Sequence, residues 1–231
     1  IAPLTRKIPP LPSDPERLPA VDVFIPTYNE DVDVLYVTAT ACTQLDYPKE
    51  KLNIYILDDG GTAQKLNDPD PQRAAAARKR GDTLKSMASR LGVCYFARET
   101  NRYAKAGNIN EGLLRCAPRG DVNDRDRAAC GTTGFGRSCG ELILFLDCDH
   151  VPTQDMLRNT VGFFLEDEKL CLVQTPHFFI NPTPIEKNLE THRHSPHENE
   201  MFYGAVQLGL DLWNSAFFCG SAALLRRSAL M

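Results

Sequence analysis

Asp147 and Asp149 stand two residues apart at the end of the apolar run Leu142-Ile-Leu-Phe-Leu146. Alternate side chains of an extended chain share a face, so both carboxylates can point into one site. Unpaired, they repel each other and resist burial. A divalent cation removes that conflict, since Mg²⁺ takes oxygen ligands and completes its shell with water and substrate phosphates. An isolated pair of this kind is equally compatible with a surface turn whose aspartate caps the next helix. His150, beside the pair, suits a phosphate or a metal.

Asp58-Asp59-Gly60-Gly61 is a second acidic strand end, and its glycines admit a close ligand or a tight turn. The plain alternative is an acidic turn near a helix N-terminus. Lys105-Ala-Gly107-Asn108 opens a predicted helix, where a lysine beside free backbone N–H groups suits a diphosphate. The absence of GxxxxGK[ST] argues against a P-loop ATPase or kinase. Tyr28 can stack on a base or close over a strand end, and His177 cannot be separated from packing. His192, His194 and His197 lack zinc-site spacing. Phe217-Phe-Cys219-Gly-Ser221 sets small residues after two aromatics, a pattern for sugar C–H faces or for core packing.

The apolar pattern predicts the elements that position these groups. Strands are expected at 21–25, 52–57, 93–97, 142–146 and 170–174, and helices at 32–44, 72–91 and 105–116 and from a cap at Thr153 to about Asp167. Gly92 fits a helix stop, and a long loop is expected from Pro118 to Gly140. The alternation implies an α/β fold whose mostly parallel sheet has helices on both faces. Ligands bind at the carboxyl ends of strands in such sheets, so Asp58, Asp147 and Asp149 are expected around one cation-dependent pocket. Residues 1–20 hold six prolines and read as a linker, with one domain at 21–231. An amphipathic helix from Asn199 to Trp213 is expected to pack on the sheet.

A net charge of −4 argues against nucleic acid as a partner. No apolar run approaches the roughly 20 residues that cross a bilayer, and a start at Ile1 reads as a piece of something longer. The eight cysteines include no CxxC pair and point to a reducing, cytosolic setting. Cys130 and Cys139 flank a glycine-rich tract that reads as loop.

PTYNE (26–30), DDGG (58–61), KAGN (105–108), DCDHVP (147–152), QTPHFFINP (174–182), ENEMFYG (198–204) and FFCGSAA (217–223) occur in that order. In this the chain resembles the family 2 processive glycosyltransferases, those of bacterial cellulose synthesis in particular, from Val21 to the end. The resemblance implies a GT-A fold, here incomplete at the C-terminus, and inverting transfer of glucose from UDP-glucose to a growing β-1,4-glucan. It implies that Tyr28 and Asp58 hold the uridine, with Asp58 the one catalytic candidate, and that Asp59 belongs to the same substrate site. Lys105 and His150 would hold the diphosphate, Asp147 and Asp149 would address it together with Mg²⁺, and Cys219 would sit beside the acceptor glucan. A TED general base and a QxxRW motif are expected outside residues 1–231, so the chain alone is expected to bind UDP-sugar without polymerising glucose.

The same resemblance implies a multi-pass parent protein at the cytoplasmic face of the bacterial inner membrane. Its transmembrane helices, a cyclic di-GMP (c-di-GMP) regulatory domain and a periplasmic cellulose synthase partner subunit would lie outside this chain. The amphipathic helix would then lie at the membrane. Another family 2 glucan synthase, such as a β-1,3-glucan (curdlan) synthase, and a non-catalytic nucleotide-binding regulator are the alternatives.

Overall fold

A computed structural model describes residues 6–116, 139–195 and 198–231; the expected loop from Pro118 lies almost wholly outside them, as do Cys130 and His197. Six strands form one sheet: β1 Val21–Thr27, β2 Leu52–Asp58, β3 Cys94–Phe96, β4 Leu142–Phe145, β5 Leu172–Gln174 and β6 Ala223–Arg226. Their order is β3-β2-β1-β4-β6-β5. β1 pairs in parallel with β2 and β4, and β2 with β3, whereas β6 is antiparallel to both β4 and β5. The sheet is therefore mixed and mostly parallel, as the alternation of elements predicts. β6 itself went unforeseen, because Ala222-Ala223-Leu224-Leu225 is too short a run to separate from the motif before it.

Every residue of β1 is buried, as a central strand covered on both faces requires. On one face Val21, Val23, Ile25, Ile54, Ile56, Leu142 and Leu144 meet three helices, α1 Val32–Thr43, α3 Pro71–Leu91 and α5 Met156–Glu166. On the other, Phe24, Leu57, Ile143 and Phe145 meet Leu113 of α4 Ala104–Arg115. A short α2, Ala63–Leu66, follows the DDGG turn.

Helix ends follow local chemistry. Asp70 caps α3 by accepting the Gln72 N–H, Pro71 occupies the first turn, and Gly92 ends the helix at φ 69°. The expected Thr153 cap is corrected. The Thr153 carbonyl takes the Met156 N–H at 3.1 Å, so α5 begins at Met156 behind Asp155.

Pro26 sits where β1 outruns β4. The Phe24 carbonyl accepts the Leu146 N–H at 3.1 Å, so two residues on Pro26 also faces β4, whose pairing stops at Phe145. Proline is tolerated there because no ladder bond is lost. The strands part at that point, on the rim that carries Asp147.

The proline-rich segment runs along the fold. Pro9, Leu18 and Pro19 are buried, and the Tyr47 hydroxyl donates to the Pro19 carbonyl at 2.6 Å. The 198–212 segment departs from the expected packing helix. It consists of Glu198–Met201, a π-helical turn Phe202–Val206 and Gln207–Leu212. Its apolar side is uncovered, with Met201 69% and Trp213 71% exposed, while polar Gln207 is the buried member. No helix among the described residues is long and apolar enough to cross a membrane.

At the rim opposite Asp147, Asp22 is fully buried, pairs with Arg227, and accepts from Asn53 Nδ2 at 2.7 Å. Burial pushes its carboxyl up from 3.8 to about 6, against the pull of Asn53 and Arg227. A folded-state value above the unfolded one stabilises the fold below the unfolded value, and that contribution is lost as pH rises through about 6. Urea titrations should show Asp22→Asn flattening the pH dependence of stability between these two values. Asp22→Ala, which strands Arg227, should cost about 3–5 kcal/mol.

Candidate active site

Asp58 ends β2 and Asp147 follows β4, with β1 between them and all three strands parallel. Two strand spacings put their backbones about 10 Å apart on one rim. The side chains part company there. Asp58 is fully buried on the α3 side: Oδ1 accepts from Arg80 Nη1 at 2.7 Å and from the Gly60 N–H at 2.8 Å, and Oδ2 from the Tyr95 hydroxyl at 2.7 Å. Asp147 turns to the α4 side, where Lys105 Nζ pairs with it. The sequence places Asp58, Asp147 and Asp149 around one pocket; in the structure the Asp58 carboxylate meets Arg80 of α3 and that of Asp147 meets Lys105 of α4. Asp58 is in register with Thr27, whereas Asp147 continues the β4 register to Pro26, so a one-residue offset sends the two carboxylates to opposite faces at the same rim.

Asp147, Asp149 and His150 are gathered as expected, with one ligand atom from each within 4.8 Å of the others. Asp149 is exposed, and its Oδ1 lies 3.9 Å from His150 Nε2. Two carboxylates and an imidazole in that space suit a divalent cation that prefers oxygen. Lys105 Nζ neutralises Asp147 here and also donates to the Gly220 carbonyl at 2.8 Å. Gly220 has φ 91°, a conformation open to glycine and strained for other residues, and that conformation aims its carbonyl at the lysine.

Ser221 ties the groups together. Its Oγ accepts the Asp147 N–H at 2.8 Å and lies 2.6 Å from His150 Nδ1, and its carbonyl lies 3.0 Å from His177 Nε2. The His150 and His177 rings meet edge to face at 4.6 Å. Burial, with His150 beside it, holds His177 below the usual histidine value. Gln174 fixes the segment from both ends of its amide: Oε1 accepts the Cys219 N–H at 2.8 Å, and Nε2 donates to the Ser221 carbonyl at 2.9 Å. The Cys219 thiol receives Gln207 Nε2 at 2.9 Å.

Asp59 serves Lys105 from a distance. Buried Asp59 takes Arg98 in a two-pronged pair at 2.6 and 2.8 Å. The same guanidinium donates to the Arg102 carbonyl at 2.6 Å and the Ala104 carbonyl at 2.9 Å. Those contacts bracket Tyr103 and Ala104, two non-glycine residues at φ 60° and 44°. Such strain persists only where its surroundings fix it. Gly107 allows the closure, since a Cβ there would lie 1.9 Å from the Arg102 carbonyl oxygen. Asn108 Nδ2 then donates to the Leu57 carbonyl at 2.8 Å, docking α4 on the end of β2. Nothing in the sequence pattern marked Arg98, Arg80 or Tyr95, which act only through folded contacts.

Tyr28 is 42% exposed at the β1 end, with Lys65 Nζ 3.5 Å above its ring centroid and 2.9 Å from Asn29 Oδ1. Beneath it, Arg80 joins Thr27 Oγ1 at 3.0 Å to Asp58. Among the described cysteines, Cys42, Cys116, Cys139, Cys148, Cys171 and Cys219 carry free thiols.

The model of a family described as Glycosyl transferase family 2 matches residues 22–119 and 124–231. The chain is 40% identical over 228 residues to a cellulose synthase catalytic subunit [UDP-forming] of Xanthomonas axonopodis pv. citri, covering 99% of this chain and 26% of that protein. It is 42% identical over 221 residues to the protein of the same name from Pseudomonas fluorescens, covering 96% and 24%. Cellulose synthase 1 of Komagataeibacter xylinus is 40% identical over 230 residues, covering 100% of this chain and 12% of that protein. The chain thus spans about a quarter or less of these curated relatives. Among solved structures, a mannosyltransferase from Pyrobaculum calidifontis in complex with GDP-Man and Mn²⁺ has the same fold, with TM-score 0.51, 20% identity and coverage of 97% of this chain and 49% of that one. S. aureus TarS 1–349 aligns with TM-score 0.52 at 14% identity over 91% and 48%.

Replacing Arg98 by Met should release the Tyr103–Ala104 turn and leave Asp59 buried without its partner. Hydrogen exchange in the first turn of α4 should accelerate, and stability should fall by about 3–5 kcal/mol. Unchanged exchange there would show that the turn holds without the guanidinium.

Proposed function

The chain belongs to glycosyl transferase family 2, and from that membership we propose that it forms the donor-binding part of a cellulose-synthase-type enzyme, taking UDP-glucose with Mg²⁺. The observation that carries the reading is the cluster of Asp147, Asp149, His150 and Lys105 at the carboxyl end of a parallel strand. A nucleoside diphosphate is the ligand that such a mixture of acids and a cation suits: Asp147 and Asp149 would hold a divalent metal that offsets phosphate charge, and Lys105 would meet the remaining charge. A fold neighbour whose own complex holds GDP-Man and Mn²⁺ supports the same ligand class.

In this reading Asp147 and Asp149 hold the cation, which neutralises charge on the departing diphosphate. With a cation held at Asp147, Lys105 would be free to leave that carboxylate for a phosphate oxygen. Tyr28 stacks on the uracil after Lys65 leaves its ring. Asp58 keeps the uridine end in shape through Arg80 and Tyr95, a supporting role that suits a fully buried carboxylate better than direct contact. The acceptor's hydroxyl adds to the anomeric carbon as UDP leaves, and its proton passes to a base. Cys219 and Phe218 flank the acceptor. In the whole protein, the uncovered apolar side of 198–212 lies against the membrane at the cytoplasmic face. The regulatory, transmembrane and partner-subunit roles belong to that larger protein.

Titrating UDP with and without Mg²⁺ tests the reading. Wild type should bind more tightly with the ion, and Asp147→Ala and Asp149→Ala should lose that gain. Lys105→Ala should weaken binding by about tenfold, the worth of one charge-assisted hydrogen bond. Metal-independent binding that ignores both aspartates would favour a non-catalytic nucleotide-binding regulator. Linkage analysis of the full-length enzyme's product separates a β-1,4- from a β-1,3-glucan synthase.

A further inference from the structure

Ser221 is 1% exposed, and its hydroxyl stands between two fixed partners. The Asp147 N–H can only donate, so at 2.8 Å it occupies a lone pair of Oγ. His150 Nδ1 lies 2.6 Å from the same oxygen. If Nδ1 carried a proton, it would donate as well, and the serine proton would be left without an acceptor among the described residues, in a buried place. Orphaned buried donors of that kind are disfavoured. The arrangement that satisfies all three groups has Ser221 donating to a bare Nδ1, which puts the imidazole proton on Nε2.

The neighbouring ring is fixed by the same residue. His177 Nε2 lies 3.0 Å from the Ser221 carbonyl, which can only accept, so that nitrogen carries the proton of a neutral His177. The two rings stand 4.6 Å apart, and His150 turns Nε2 toward the Asp149 side.

We propose that Ser221 is a positioning residue that fixes His150 as an Nε2–H donor, so that His150 binds a phosphate oxygen of the donor nucleotide and is not a metal ligand. A bare Nε2 would coordinate a cation and repel a phosphate; a protonated one does the reverse. The metal is then left to Asp147, Asp149 and the diphosphate. The Ser221 hydroxyl also receives the Asp147 backbone, so a single side chain registers the phosphate donor against the carboxylate that holds the cation. This rests on the nucleotide-sugar reading for the ligand, but the tautomer stands on the Ser221 contacts alone.

Nitrogen-15 spectra of histidine-labelled protein, recorded at a pH where the imidazoles are neutral, read the tautomer directly. His150 is assigned by the signal lost in His150→Gln. Wild type should show Nδ1 bare and Nε2 protonated without any ligand. A protonated Nδ1 in wild type overturns the proposal with no variant needed. Ser221→Ala should mix the tautomers and weaken UDP binding by about tenfold, as expected for losing one hydrogen bond to a charged group. Ser221→Thr, which keeps the hydroxyl, should restore both readouts. Unchanged tautomer and affinity in Ser221→Ala would also overturn it. If wild type shows the expected tautomer but binds no UDP, the nucleotide reading fails and the tautomer assignment survives.

Discussion

The buried pair of Asp59 and Arg98 governs where the cationic side of the site stands. One guanidinium, held at 2.6 and 2.8 Å by Asp59, also donates to the carbonyls of Arg102 and Ala104 and to the side-chain oxygen of Asn101. A left-handed turn at Tyr103 and Ala104 is costly for residues with a Cβ, so it needs such a clamp. Lys105 follows directly, and its ammonium reaches Asp147 across the rim because the turn delivers α4 there. The second aspartate of DDGG thus works through the backbone of another segment, with no contact to ligand required.

The acids of the rim divide by solvation. Asp58 and Asp59 are buried, and each is neutralised by an arginine, Arg80 and Arg98. Carboxylates can be buried only when so paired, and this pairing builds a rigid floor for the site. Asp147 and Asp149 keep solvent access, Asp147 beside Lys105 and Asp149 beside His150, and so retain ligand capacity. Burial and not sequence motif separates the supporting acids from those that can meet a cation.

The antiparallel strand β6 has a matching role. By inserting between β4 and β5 it carries Gly220 and Ser221 to the end of β4, where a parallel α/β sheet would have no returning chain. Gln174, at the end of β5, grips that return through Cys219 and Ser221. The segment that carries Gly220 and Ser221 is therefore held by the sheet itself, with little dependence on loop stiffness.

Periodicity in the sequence determined the parallel strands, the helices between them and the rim on which the acidic turns emerge, because burial on both faces demands predominantly apolar runs, seen at 21–25, 52–57 and 142–146 with only Asp22 and Asn53 interrupting them. The nearness of Asp147 to Asp149 was legible for a local reason, two carboxylates at one strand end, whereas the contact of Lys105 with Asp147 joins segments 42 residues apart. Tertiary structure decided the rest. The pairing of Asp58 with Arg80 and Tyr95, the pairing of Asp59 with Arg98, the exposure of the 198–212 segment and the contacts of Ser221 all depend on partners distant in the chain. Spacing along a chain encodes which side of a strand a residue takes, but it does not encode which distant side chain will be waiting there.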